Sequence, residues 1–171
     1  MDKTAEETYG EIGIDGRAAS ILPELDYITL LGASVYCFDR CQSFIVELLR
    51  SQGCVNLDWW KLTDQTAGMI CDDVNHHLDD KSYINPKLHD DFQDLCHRRD
   101  RIIHAFPCTD EETGEQYLRT KVKATARNHA EANKQFPITR DYMTQFIEKV
   151  TDFEYRLDDV RTQMIVHKDY K

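Results

Sequence analysis

A chain of 171 residues fits one domain and is long enough to bury a core without disulfide or metal staples. Apolar residues make up 41%, and the scarcity of glycine (7) and proline (4) favours long helices over a turn-rich β fold. The net charge of -10 argues against a general nucleic-acid coating protein, because phosphate affinity comes largely from Lys and Arg. No apolar run reaches the roughly 18 residues of a membrane span, so no membrane partner is expected. Met1–Gly10 is acidic and polar and lacks the basic start and apolar stretch of a signal peptide, which reads as cytoplasmic. The cysteines Cys37, Cys41, Cys54, Cys71, Cys96 and Cys108 form no C-x-x-C pair and read as reduced packing residues rather than a zinc site.

Residues 1–22 show no strong period and read as an N-terminal arm or a short edge strand. The domain proper is expected over 23–171. A first helix starts near Pro23, a good first-turn residue, with the stripe Ile28, Leu31, Val35, Phe38, Ile45, Leu48, Leu49 and a stop at Gly53. A second covers about Leu57 to Leu78, with Trp60, Ala67, Ile70, Val74 and Leu78 inward. Asp79–Ser82 is a polar break. Asn85-Pro86 is a cap and first-turn pair for a third helix that runs to about Phe106, where Pro107 stops it. Residues 107–137 are irregular, with a turn at Thr113-Gly114 and a short strand or hairpin arm within Gln116–Ala126. A final helix is capped by Thr139 and carries Met143, Phe146, Val150, Phe153, Leu157, Val160 and Met164 on one face. The expected fold class is all-α, a bundle of about four main helices with a short irregular or hairpin excursion before the last.

The third helix breaks its own pattern. Its stripe is Leu88, Phe92, Leu95, then Arg99, then Ile102 and Phe106, in steps of three and four. A guanidinium in an apolar row is expensive unless it is paired or snorkels out. His104 follows five residues later; five residues turn about 500°, so the two side chains diverge by about 140°. They form no clamp on one helix face, but both can line a groove at a seam between two helices or two chains. Basic residues gather here (His97, Arg98, Arg99, Arg101, His104 against Asp100) and again at Arg119, Lys121, Lys123 and Arg127. Each run reads either as a solvated face or as a phosphate-binding surface.

The hexapeptide Arg99-Asp100-Arg101-Ile102-Ile103-His104 resembles the R-x4-6-H signature of the HEPN family, in which a polar residue often follows the arginine. The opening helix, with Leu31-Gly32 and its stripe to Leu49, is similar to that family's first helix. The irregular excursion and the Thr139-initiated last helix extend the resemblance over about residues 23–166. The resemblance implies a helical bundle that dimerises and acts as a metal-independent endoribonuclease, without cofactor, in toxin–antitoxin or anti-phage defence systems. It also implies a homodimer with an RNA substrate and an antitoxin or other defence protein as partner. In that reading Arg99 holds the phosphate, His104 is the general acid/base, Asp100 orients one of them, and Arg98, Arg101, Lys121 and Lys123 bind RNA. Arg98 also satisfies the motif spacing; Arg99 is preferred because it lies on the seam and precedes Asp100.

Two other readings stand beside it. One is a non-catalytic module of the same type that binds RNA or protein. The other is a metal-dependent phosphohydrolase built on Asp72, His76 and Asp80, where carboxylates and imidazoles recur at four-residue spacing on a helix, a legitimate ligand geometry. The plain alternative for that cluster is a solvated helix end.

Overall fold

The computed structural model describes residues 5–52, 59–84, 88–121 and 134–170. The order is α1 (Ala5–Glu11), α2 (Gly16–Ala19), α3 (Leu25–Ser51), α4 (Trp59–Thr63), α5 (Ala67–Asp73) continued by a π-helical turn (Val74–Leu78), α6 (Leu88–Ile103), β1 (Phe106–Thr109), β2 (Gln116–Lys121), β3 (Gln135–Ile138) and α7 (Arg140–Val166). The protein is thus mainly helical with a small sheet; the expected all-α class gives way to a mixed one, because the strand or hairpin arm expected within Gln116–Ala126 is joined by two further strands. The excursion before the last helix is a three-stranded antiparallel sheet in the order β1-β2-β3. The chain divides into two compact units, residues 1–34 with 100–144, and residues 35–99 with 145–171.

The second unit is organised by aromatic rings. Phe38 of α3 stacks on Phe92 of α6 with centroids 6.0 Å apart and on Phe146 of α7 at 6.3 Å; Phe92 in turn stacks on Phe153 at 6.0 Å. Phe38, Phe92 and Phe146 are wholly buried and Phe153 nearly so. Each burial is worth about 1.5–3 kcal/mol, and each ring pair adds roughly 0.5–1.5 kcal/mol. The α7 stripe expected from Phe146 to Met164 is buried throughout, as are Ala67, Ile70, Val74 and Leu78. Trp60 is an exception at 77% exposed. The expected second helix is broken at Asp64–Thr66, because Thr66 caps a new helix by accepting from the Met69 amide at 3.4 Å. Trp60 therefore sits on a separate short helix with a different phase. The third helix also ends earlier than expected, at Ile103, and Phe106 opens β1 at 39% exposed. Its expected start signal Asn85-Pro86 and the expected stop Gly53 lie outside the described residues, as does the start at Leu57. The Asp79 carboxylate accepts from the His89 amide at 3.0 Å, so the polar break helps to cap α6.

In the first unit, residues read as an arm or edge strand form α1 and α2. Tyr9 is fully buried and donates to the Pro23 carbonyl. The Asp15 carboxylate caps α2 through the Ala18 amide at 2.9 Å. The sheet rests on Tyr27, which is 2% exposed. Its hydroxyl donates to the Ile138 carbonyl at 2.6 Å and accepts from the Leu118 amide at 3.0 Å, spanning a cross-strand pair of β2 and β3. Burial pushes the Tyr27 phenol above its ordinary value, which keeps the donor proton in place. Arg140 lies over the ring at 5.6 Å and binds the Asp26 carboxylate at 2.7 and 2.9 Å and Glu24 at 2.5 Å. The turn Thr113-Gly114 is present as expected. Gly114 has φ +75°, and Asp110 accepts from the amides of Glu112 and Thr113.

Tyr27→Phe should cost about 1–3 kcal/mol, because it leaves a buried carbonyl and amide short of a partner. The melting temperature should fall by roughly 2–4 °C per kcal/mol, and an unchanged value would remove Tyr27 as the anchor of the sheet. The hydrogen bond from Arg140 holds the Asp26 carboxyl below its usual range. Its stabilisation is therefore complete above the unfolded value of about 3.9 and is lost as the pH falls through the lower folded value. The melting-temperature gap between the parent protein and Asp26→Asn should close as the pH drops below about 4.

Candidate functional site

The motif lies at the C-terminal end of α6. Leu88, Phe92, Leu95 and Ile102 of its stripe are buried, and Arg99 within that stripe is half-buried. The guanidinium of Arg99 sits 5.1 Å from the centroid of Phe38. An arginine is tolerated in an apolar row because its stem packs as a hydrocarbon and its planar head finds an aromatic face. Arg98, the other arginine at motif spacing, forms a surface pair with Asp94 at 2.7 Å, four residues back on the same helix. The two arginines are both half-buried but differ in their partners, one lying against a buried ring and one paired with a carboxylate of its own helix.

Asp100 is half-buried and His104 is exposed. His104 follows the last residue of α6, and its amide still donates to the Asp100 carbonyl at 3.0 Å, so the helical repeat extends to it. Residues four apart on a helix share a face. Asp100 is therefore placed toward His104, whereas adjacent Arg99 and Asp100 diverge. Arg101 is half-buried and lies 5.8 Å from the centroid of Phe136 on β3. Ile103 and Phe106 beside His104 are exposed at 41% and 39%.

Of the other expected site residues, Lys121 is exposed at the end of β2, and Lys123 and Arg127 lie outside the described residues. Asp72, His76 and Asp80 are exposed. Among the described residues no group of three or more His, Cys, Asp or Glu is placed to hold a metal. The four-residue spacing read from the sequence fails here because Val74–Leu78 is π-helical and the Asp79 amide bonds back five residues to the Val74 carbonyl at 3.1 Å. Among the described residues the cysteines are free thiols; Cys41, Cys71 and Cys96 are buried, and burial raises the thiols of Cys41 and Cys71. That makes them packing residues.

Sequence reasoning missed two features. Phe38 entered only as a core residue, although an aromatic ring is the usual seat for an arginine in an apolar row. The second is an open groove of about 550 Å³ lined by Tyr27, Arg119, Arg140, Glu24, Asp110 and Asp141 among others. In it the Nε of Arg119 is buried without a hydrogen-bond partner. No helix is long and apolar enough to cross a membrane among the described residues. No family model, curated protein or solved structure matches the chain.

The different seats of the two arginines lead to different stabilities on truncation. Arg99→Ala should cost about 1 kcal/mol, the scale of a partly desolvated cation–π contact, and Arg98→Ala roughly 0.3–0.5 kcal/mol. Denaturant melts that rank them in the opposite order would show that the Phe38 seat carries little.

Proposed function

We propose that this chain is a metal-independent endoribonuclease of the HEPN type, acting as a homodimer in a toxin–antitoxin or anti-phage defence system. The observation that carries the reading is the arrangement at the end of α6. There Arg99 is held against a buried ring, and His104 emerges into solvent one residue past the last helical turn, with Asp100 on its face.

Cleavage of RNA through its own 2′-hydroxyl needs a base to take that proton, an acid to protonate the leaving 5′-oxygen, and a cation on the phosphate. A neutral imidazole takes the proton and an imidazolium returns one, and histidine populates both forms near neutral pH. Arg99 binds two phosphate oxygens at once and stabilises the charge that builds on them. One histidine serves only one of the two proton transfers at a time. A twofold pair supplies two histidines and two arginines, so that base and acid act on opposite sides of the phosphorus. Asp100 accepts from the imidazole and fixes its tautomer, a positioning role. Arg98 and Arg101 flank the phosphate path.

The purified protein should cleave RNA in EDTA and leave a 2′,3′-cyclic phosphate. Arg99→Ala and His104→Ala should each lower the rate by about 10²-fold or more, with the double variant scarcely worse than the poorer single one. Asp100→Asn should shift the pH–rate profile while leaving binding intact. Arg98→Ala should retain most turnover. Full activity in Arg99→Ala, activity that disappears with chelator and returns with manganese, or an active monomer by sedimentation would each overturn the assignment.

A further inference from the structure

The groove beside the β1–β2 hairpin has a mixed lining. Tyr117, Arg119 and Pro137 bring the outer face of the sheet into it, with Arg119 paired to Pro137 across β2 and β3. The carboxylates of Glu24, Asp110, Glu115 and Asp141 surround them, four against the two guanidinium groups of Arg119 and Arg140. The Arg140 charge is already met by Asp26 at 2.7 Å and Glu24 at 2.5 Å. At the neck of the hairpin the Asp110 amide donates to the Glu115 carbonyl at 2.8 Å, which sets those two residues side by side. Glu115 and Asp141 are exposed, and neither forms an ion pair among the described residues.

Arg119 stands out in this acidic setting. None of the four carboxylates pairs with it, and its Nε is buried without an acceptor. A desolvated donor left unused costs free energy until an acceptor reaches it. The groove therefore offers negative charge to a cation and an N–H donor to an oxygen. Nucleic acid does not suit it, because phosphates would meet four carboxylates. A polyamine supplies cations but no acceptor. An extended peptide with basic side chains supplies both, since its main chain carries a carbonyl at every residue. Alternate side chains of such a peptide point the same way, and their hydrocarbon stems can pack on Tyr117 and Pro137 while their charged heads reach the carboxylates.

We propose that this groove docks an extended, lysine- or arginine-rich segment of a partner protein, with basic side chains on Glu115 and Asp141 and a main-chain carbonyl on Arg119. The net charge of -10 steers such a segment toward the chain. The surface stands apart from the ribonuclease reading. Its test measures no cleavage, so either can fail alone.

The probe is a fluorescein-labelled peptide of about nine residues in which lysine alternates with threonine, an extended chain of roughly 30 Å. A control peptide has glutamate in place of lysine. Anisotropy should show binding of the lysine peptide and none of the control. The double variant Glu115→Gln/Asp141→Asn should weaken binding by about 5- to 25-fold, since each exposed ion pair is worth up to about fivefold. Both residues are exposed, so circular dichroism of that variant should match the parent. Arg119→Gln gives the sharper result. Removing a cation from a plain acidic patch would tighten the peptide, whereas losing the carbonyl's donor should weaken it by about 2- to 12-fold. The double variant carries the test if Arg119→Gln does not fold. Spermine should bind more weakly than the peptide and gain affinity in Arg119→Gln. Tighter or unchanged peptide binding in folded Arg119→Gln, unchanged affinity in the double variant, spermine as tight as the peptide, or no binding by the parent would each overturn the proposal. A fluorescent single-stranded oligonucleotide whose binding Arg119→Gln abolishes would also overturn it and make the groove a nucleic-acid site.

Discussion

Phe38 is where three helices and a charged side chain meet. Its ring takes Phe92 from α6, Phe146 from α7 and the guanidinium of Arg99. Phe92 and Arg99 lie seven residues apart on α6, as do Phe146 and Phe153 on α7, and seven residues are close to two turns. The same repeat that aligns the rings therefore delivers a cation to them. A guanidinium in such a place keeps less freedom than one on a surface helix, so under the proposed function less rotamer entropy would remain to be lost on binding a phosphate. The apolar stripe thus preorganises a charged group.

The first unit depends on a single phenol in a comparable way. A three-stranded sheet of short strands buries little by itself, and small sheets need a packed partner. Tyr27 supplies that partner from α3, and its hydroxyl closes hydrogen bonds at paired residues Leu118 and Ile138. Arg140, clamped by Asp26 and Glu24, covers the ring and fixes the first turn of α7 beside the end of β3. The strand edges are protected too, since Pro107 on β1 and Pro137 on β3 remove a ladder donor from each outer strand.

Periodicity revealed the long helices because their stripes obey one rule over many turns. The α7 stripe from Met143 to Met164 is buried residue for residue. Early in α3 the rule misled, because the seam passes through Tyr27 and Ser34 rather than Ile28 and Val35. A search for apolar residues skips both, yet each is buried with its hydroxyl satisfied, Ser34 by the Leu30 carbonyl at 2.8 Å. The break at Thr66 was hidden because an uninterrupted apolar period outweighed one capping residue. β3 is only four residues long and contains a proline, so it carried no strand signal, and its place is set by pairing with β2. At the candidate site, helix phase put Arg99 in the apolar row and His104 on a diverging face, but it did not show that His104 is exposed. The seat on Phe38 was not legible either, because a contact between helices leaves no mark in the spacing of either one.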